Sequence, residues 1–271
     1  LFEGDQNKFG LNLNIDGKIV NTNDLYFTAT QNAENISMRA NYSAEKYIEY
    51  VYDLKPKSNQ VGFNINLNGL NQVIQGNNIA LNWETTLLEQ EKSGKKEQEH
   101  SAPYYKYVDK NPDHLDVMKD EEEELKEGKI EWFSFKQHFF SAVMIPAVPF
   151  EKGSLAVKVS IEPGKIKWYG ATMQMPFNQL AAQSYAMNIY FGTNKFSTLK
   201  AQGHEIEKQV DMGYWPLKYI NRFIVLPVFN FLEGFGWNYG LIILILTILL
   251  KVAMSPLTYK SYISMAKMRI L

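Results

Sequence analysis

Residues 239–271 read YGLIILILTILLKVAMSPLTYKSYISMAKMRIL and contain a long apolar run. Between residues 241 and 250 only Thr247 is polar, and the run continues through Lys251 to Leu257. At about 1.5 Å per residue, these roughly 17 to 20 residues are enough to cross a hydrocarbon core of about 30 Å. The stretch therefore predicts one transmembrane helix over residues 239–257.

The basic residues after this run predict its orientation. Lys260, Lys267 and Arg269 follow with no acidic residue among them. By the positive-inside rule, residues 258–271 are predicted to begin a cytoplasmic helical region, and residues 1–238 to lie outside. The first residues, LFEGDQNKFG, lack a secretory signal. We therefore expect an export signal before them and, because the sequence stops abruptly, further sequence at the other end.

The charge distribution excludes some classes of partner. The whole chain has a net charge of −1, but the part from Met212 onward holds six basic residues and one acidic residue. An acidic outer region joined to a basic membrane end disfavours nucleic acid as a partner. There is no cysteine, which excludes disulfides and cysteine metal sites. The four histidines show no metal-ligand spacing, so we predict neither a metal nor a cofactor.

Alternating apolar and polar residues dominate the first two hundred positions. This period of two is typical of half-buried β-strands. Turn residues separate several of these strands, at Asp16-Gly17, Asn68-Gly69 and Pro163-Gly164. The period of two recurs at five places: Phe9/Leu11/Leu13/Ile15, Ile36/Met38/Ala40/Tyr42, Val61/Phe63/Ile65/Leu67, Leu155/Val157/Val159/Ile161 and Tyr185/Met187/Ile189/Phe191. Residues 46–54 (KYIEYVYDL) read as a further strand. Many short strands without alternating helices predict a mainly β fold, a large antiparallel sandwich.

Two stretches depart from this rhythm. Residues 89–128 are polar and include the acidic run 121–124, which we interpret as a long solvated excursion, since the spacing of a calcium loop is absent. An aromatic block follows, and we expect it in the sandwich core, with a peptide-binding or sugar-stacking face as the alternative. Its members are Trp132, Phe133, Phe135, Phe139 and Phe140.

Residues 208–238 predict a linker and an amphipathic helix at the outer membrane surface. Pro216 suits a helix start and Pro227 is expected to kink the helix. An imperfect apolar side (Leu217, Ile220, Ile224, Val228, Phe231) opposes a polar side, and the interfacial anchors and charges are Trp215, Lys218, Arg222 and Trp237. A helix packed on the sandwich is the alternative interpretation.

Lys251 is costly inside a membrane, at about 2.5 to 3.5 kcal/mol, and needs a reason. On a helix, Thr247, Ser255 and Thr258 lie four residues before, four after and seven after it, so the four share one face. This polar stripe favours a hydrophilic cavity. The alternative is that the lysine extends to the cytoplasmic interface.

These residues also carry a family resemblance. The last 60 or so residues resemble the second transmembrane helix and following cytoplasmic stretch of the YidC insertases, in the YidC/Oxa/Alb group. The matching features are Trp237, Gly240, Pro256-Leu257-Thr258 and, most specifically, SMAKMR at residues 264–269. Weaker landmarks lie upstream at Tyr214-Trp215, at residues 137–140, at Ile145-Pro146 and at residues 190–192.

The resemblance implies a function. Residues 1–207 would form a periplasmic β-supersandwich, and Lys251 would take the place of an arginine that faces a hydrophilic groove. The implied protein is a non-enzymatic insertase and chaperone of the bacterial inner membrane, multi-pass when complete. Its expected partners are nascent inner-membrane proteins, the Sec translocon and membrane lipids.

Two other functions remain as alternatives. In the first, the sandwich is a sugar-active enzyme. This function rests on fold analogy alone, because no nucleophile motif is present. In the other, the chain is a periplasmic peptide- or sugar-binding module tethered by a single helix.

Overall fold

The computed structural model describes residues 6–33 and 35–268, except for the side chains at 257, 266 and 267. Arg269 and the two residues after it, which belong to the predicted cytoplasmic region, lie outside the described residues. The chain divides into two compact units, Leu1–Val210 and Asp211–Leu271.

The first unit is built from strands. In chain order its described residues form Lys8–Ile15 (β1), Lys18–Asn21 (β2), Thr28–Gln31 (β3), Asn35–Asn41 (β4), Tyr47–Leu54 (β5), Gln60–Asn68 (β6), Asn78–Leu88 (β7), Ala102–Tyr107 (β8), Asp113–His114 (β9), Glu121–Leu125 (β10), Ile130–Lys136 (β11), Phe140–Pro146 (β12), Lys152–Val159 (β13), Lys165–Pro176 (β14) and Gln183–Thr193 (β15). Its short helices are Gly94–Glu99 (α1) and Phe196–Ala201 (α2), with 3₁₀ turns at Thr22–Asp24 and Ile206–Gln209.

These strands make two antiparallel sheets. The smaller has the order β10-β13-β14-β7-β1-β2, and the larger has the order β3-β4-β5-β6-β15-β12-β11-β8-β9. One core fills the space between them, and its fully buried members include Leu11, Phe63, Phe135 and Tyr169. The predicted mainly β, antiparallel sandwich is thus confirmed.

A second, smaller core lies on the outer face of the larger sheet. Trp132 and Tyr190 pack there against Leu199 of α2 and Ile206 of the 3₁₀ turn. The Trp132 indole N–H donates to the His204 carbonyl at 2.8 Å. Gly203, with a φ of +78°, follows the end of α2.

The interpretation of residues 89–128 as a solvated excursion was wrong in part. β8 lies within that range and is almost wholly buried, because it pairs with β11 inside the larger sheet. The acidic run is β10, an edge strand paired with β13. α1 is fixed by Lys167, whose buried ammonium donates to the carbonyls of Gln98 (2.9 Å) and Ser101 (2.5 Å).

The aromatic block divides between core and surface. Trp132, Phe133 and Phe135 are buried as expected, and Phe139 and Phe140 are 55% and 39% exposed. The reason is position: the first three lie on β11, and the last two come at the turn into β12 and at its first residue.

Tyr185 makes the stability of the sandwich sensitive to alkaline pH. Its hydroxyl donates to the Pro176 carbonyl at 2.8 Å, and burial raises the pKa of Tyr185 to about 12. The unfolded tyrosine ionises near pH 10, so at higher pH the unfolded chain binds fewer protons than the folded one. We expect this contribution to be complete below about pH 10 and to be lost as the pH rises towards 12.

Urea denaturation followed by circular dichroism between pH 8 and about 11.5 measures this effect. Tyr185→Phe has no ionisable hydroxyl, so its free energy of unfolding should fall less steeply above pH 10. At pH 8 the variant should be about 1 kcal/mol less stable, because one hydrogen bond is lost. Equal slopes for the two proteins would contradict the assignment.

Candidate functional site

The second unit is a helical hairpin that ends in one long helix. Helix α5 spans Tyr239–Met268 and is about 45 Å long at 1.5 Å per residue. Its window Tyr239–Pro256 has a mean hydropathy of 2.0, so it is long and apolar enough to cross a membrane. The helix continues past residue 257 without a break, through the start of the segment predicted to be cytoplasmic.

α5 packs on the helix before it. That segment consists of Leu217–Ile220 (α3), a π-helical turn at Asn221–Val225 and Leu226–Glu233 (α4). Leu232 of α4 is buried with Ile242 and Leu246 of α5, and Val228 and Phe229 pack against them. The hairpin thus holds the first two turns of α5, and after Leu246 the described side chains of that helix are exposed except for the half-buried Leu250.

The predicted polar stripe lies on one face of α5. Three of its members, Lys251, Ser255 and Thr258, line one side of an open recess of about 680 Å³. Pro256, Tyr259 and Tyr262 complete the lining. Thr247 lies one turn before the recess and does not line it.

Tyr259 and Tyr262 were missed in the sequence. Both are exposed, at 68% and 65%. They follow Lys251 by eight and eleven residues, so the helical spacing that linked Lys251 to Thr258 would have found them. They add two phenol hydroxyls to the end of the stripe that is predicted to face the cytoplasm.

The hydroxyl groups of the stripe are bonded to the helix itself. Thr247 Oγ1 donates to the Ile243 carbonyl at 2.8 Å, and Thr258 Oγ1 donates to the Met254 carbonyl at 3.0 Å. Threonine hydroxyls that bond back in this way are tolerated in an apolar setting. The two threonines therefore do not by themselves require a wet neighbour.

Ser255 has a specific partner. Pro256 has no N–H, so the carbonyl of Val252, four residues earlier, loses its usual helical donor. Ser255 Oγ donates to that carbonyl at 2.8 Å. The serine thus satisfies the backbone group that the proline leaves unpaired.

Lys251 is different from the other three. Its side chain is exposed, and within residues 6–33 and 35–268 its ammonium makes no hydrogen bond or ion pair. Of the four residues predicted to form the stripe, Lys251 is the one whose polar group carries a cost in hydrocarbon that the helix itself does not offset. The argument for a hydrophilic surrounding therefore rests on this residue.

The predicted interfacial residues lie in or beside the first helix of the hairpin. Trp215 is 78% exposed before α3, Lys218 is exposed within it, and Trp237 stacks on Phe235 at 5.4 Å in the loop before α5. Arg222 lies in the π turn, 5.8 Å from the Phe223 ring. A π turn, in which the Leu226 N–H bonds to the Asn221 carbonyl, comes directly before Pro227, the residue at which a kink was expected.

A family model described as the YidC periplasmic domain matches residues 3–230. The chain belongs to the YidC family. Three proteins named membrane protein insertase YidC are each 34% identical to it. Those of Parabacteroides distasonis and Azobacteroides pseudotrichonymphae align with the whole chain, over 45% and 46% of their own lengths. The Phocaeicola vulgatus protein aligns with 98% of this chain, over 45% of the relative's own length. The chain thus spans less than half of these YidC relatives.

The solved structure of α-N-acetylgalactosaminidase NagBb from Bifidobacterium bifidum aligns with this chain at a TM-score of 0.47 and 8% identity. The alignment covers 75% of this chain and 34% of the NagBb chain. That likeness is too small to bear on what this YidC chain binds.

Replacing Ser255 tests its bond to the Val252 carbonyl. In Ser255→Ala this carbonyl has no donor, and we expect its infrared band, isolated by ¹³C=¹⁸O labelling at Val252, to move to the higher frequency of a free carbonyl. Ser255→Thr keeps a hydroxyl and should keep the wild-type band. An unchanged band in the alanine variant, measured in lipid bilayers, would show that the serine does not have this role.

Proposed function

We propose that the complete protein inserts proteins into the bacterial inner membrane and assists their folding, without catalysing a covalent reaction. One observation carries the proposal: a helix of membrane-spanning length presents, beside Ser255 and Thr258, a lysine whose ammonium has no partner among the described residues. The names of the YidC relatives support it, since each is called a membrane protein insertase.

The physical reasoning starts from the cost of polar groups in lipid. A charged side chain at the centre of a membrane costs about 2.5 to 3.5 kcal/mol, and polar segments of a client protein meet a similar penalty. A hydrophilic groove beside Lys251 lowers this penalty for both. The client's apolar helix then moves sideways from the groove into lipid.

Lys251 supplies an attractive charge in this mechanism. Its ammonium draws acidic residues of a client segment into the groove, where the reduced dielectric strengthens the attraction. The resemblance implies that other YidC proteins commonly have an arginine where this chain has Lys251. Lysine keeps the charge without the planar fork, so we propose a point-charge attraction in place of a bidentate contact. Thr247, Ser255 and Thr258 extend the polar face on either side.

We propose the following arrangement in the membrane. Residues 1–207 are the periplasmic sandwich, 208–238 the linker and interfacial helix, 239–257 the transmembrane segment and 258–271 the start of the cytoplasmic region. The exposed aromatic side chains around α3 and α4, among them Trp215 and Phe223, support a position at the lipid surface. Nascent inner-membrane proteins, lipids and the Sec translocon are the proposed partners.

Lysine variants of the full-length protein separate this function from the tethered-module alternative. We expect Lys251→Glu to reduce insertion of clients with acidic translocated segments by about tenfold, because attraction becomes repulsion. Lys251→Arg should retain activity. Insertion into proteoliposomes, scored by protease protection of the client, measures both.

Lys200→Glu is the matched control, since it makes the same charge change at an exposed lysine of α2, in the sandwich unit and outside the segments that set the membrane orientation. Its insertion activity should stay near that of wild type. Wild-type insertion by both Lys251→Glu and Lys251→Leu would contradict the charge role and favour a module that is merely anchored by α5.

A further inference from the structure

The last part of the sandwich unit is held on the larger sheet by side chains. Residues 203–210, which we call the strap, lie over the outer face of that sheet. Where the backbone N–H groups of the strap are bonded, they bond within the strap or to α2 just before it. Among the described residues, no backbone hydrogen bond joins the strap to a strand. A segment attached in this way can leave the sheet without breaking a strand ladder.

The strap begins with three successive residues in the left-handed region. Gly203, His204 and Glu205 have φ values of +78°, +56° and +60°. Glycine adopts this region freely, whereas only a few per cent of residues with a Cβ are found there. His204 and Glu205, which bear this strain, are also the residues whose side chains bind the strap to the sheet. The closed strap therefore depends on those side-chain contacts to hold it against its own backbone preference.

The contacts of these two side chains are made with an ion pair on the sheet. Lys106 of β8 and Glu131 of β11 form this pair, and the Lys106 side chain is only 7% exposed. His204 Nδ1 lies 2.8 Å from Glu131 Oε1, and the Glu205 carboxylate lies 3.7 Å from Lys106 Nζ. The buried ammonium attracts Glu205 and offsets the repulsion between Glu205 and Glu131. Lys106 is thus the charge that favours the closed strap.

The far end of the strap contains an unsatisfied buried amide. Ser134 Oγ donates to Gln209 Oε1 at 2.8 Å, and both side chains are fully buried. Gln209 Nε2 has no hydrogen-bond partner among the described residues. A buried donor without a partner favours an open state in which water satisfies it. Ile206, between the two ends, is fully buried in the second core and favours closure. The strap therefore combines features that oppose closure with contacts that maintain it.

We propose that the strap opens from the sheet as one unit while the sandwich stays folded, and that Lys106 controls how often it opens. Opening uncovers the apolar patch around Trp132 and frees the strap, which spans up to about 28 Å when fully extended. The freed residues then add to the chain that connects the sandwich unit with the helical hairpin. This connection thus has a short and a long form. The proposal does not rest on the insertase function.

Cysteine labelling tests the opening, because the chain has no cysteine of its own. Ser134→Cys places a thiol under the strap, and Ala142→Cys places one in the core between the sheets, which is exposed when the sandwich unfolds. In the full chain in lipid nanodiscs, N-ethylmaleimide should label Ser134→Cys at least about tenfold faster than Ala142→Cys. Low urea should speed the labelling of Ala142→Cys steeply and that of Ser134→Cys little, since strap opening exposes less surface.

Lys106→Gln, made in both reporter chains, tests the buried ammonium. Without this charge Glu205 faces Glu131 directly, so labelling of Ser134→Cys should rise about tenfold. Adding Glu205→Gln removes the repulsion and should return most of that rise. The rate for Ala142→Cys in the same background reports any loss of sandwich stability.

Lys110→Gln is the matched control for the loss of charge. Lys110 lines the same open recess as Lys106 and Glu205, but its ion pair is with Glu127, at 2.8 Å, and not with the strap. The Ser134→Cys thiol should react at an unchanged rate in this variant.

Two results would overturn the proposal. One is that Ser134→Cys and Ala142→Cys are labelled at equal rates with equal dependence on urea, because the strap then opens only when the sandwich unfolds. The other is that Lys106→Gln raises the Ser134→Cys rate no more than it raises the Ala142→Cys rate, or no more than Lys110→Gln does. The buried ammonium then has no specific control over the strap.

Discussion

A polypeptide in hydrocarbon must satisfy its own backbone hydrogen bonds, and this constraint governs the second unit of the chain. α5 meets it along an almost uniform helix. Its one interruption is Pro256, and there the Ser255 hydroxyl donates to the Val252 carbonyl that the proline cannot pair. The hydroxyls of the two threonines in the polar stripe also donate to helix carbonyls. Among the four predicted stripe residues, the Lys251 ammonium alone has no partner in the described part of the chain, and the proposed groove follows from that group.

The same need to pair backbone hydrogen-bonding groups explains the sandwich, which has water outside it in place of lipid. Both sheets are antiparallel and share one core, so their exposed edges are the places where backbone groups remain unpaired. One edge is β10, four glutamates and a leucine. A row of negative charge is an effective guard against pairing with another chain. The acidic run thus has a structural explanation without a bound ion.

The sequence was informative wherever one periodicity controlled the structure. The period of two located the strands around Phe63 and Leu155, and the apolar run located α5. The sequence was misleading where pairing with a distant strand, and not local composition, decided burial. Residues 89–128 are polar overall, yet β8 is buried because β11 lies beside it. For the candidate site, sequence spacing put Lys251, Ser255 and Thr258 on one face. Spacing alone could not show that Ser255 donates to the Val252 carbonyl, whereas Tyr259 and Tyr262 lie at spacings that extend the same face.

The π turn at Asn221–Val225 has a consequence for the helix before the membrane span. A π turn uses one more residue than an α turn, so every side chain after it is rotated by about 100° from its place on a uniform helix. Phe231, grouped by simple periodicity with Ile224, is exposed, and Leu232 contacts α5 in its place. The segment therefore has two differently directed apolar surfaces joined by a change of phase. Such a phase change lets one short helix face lipid along its first half and a neighbouring helix along its second.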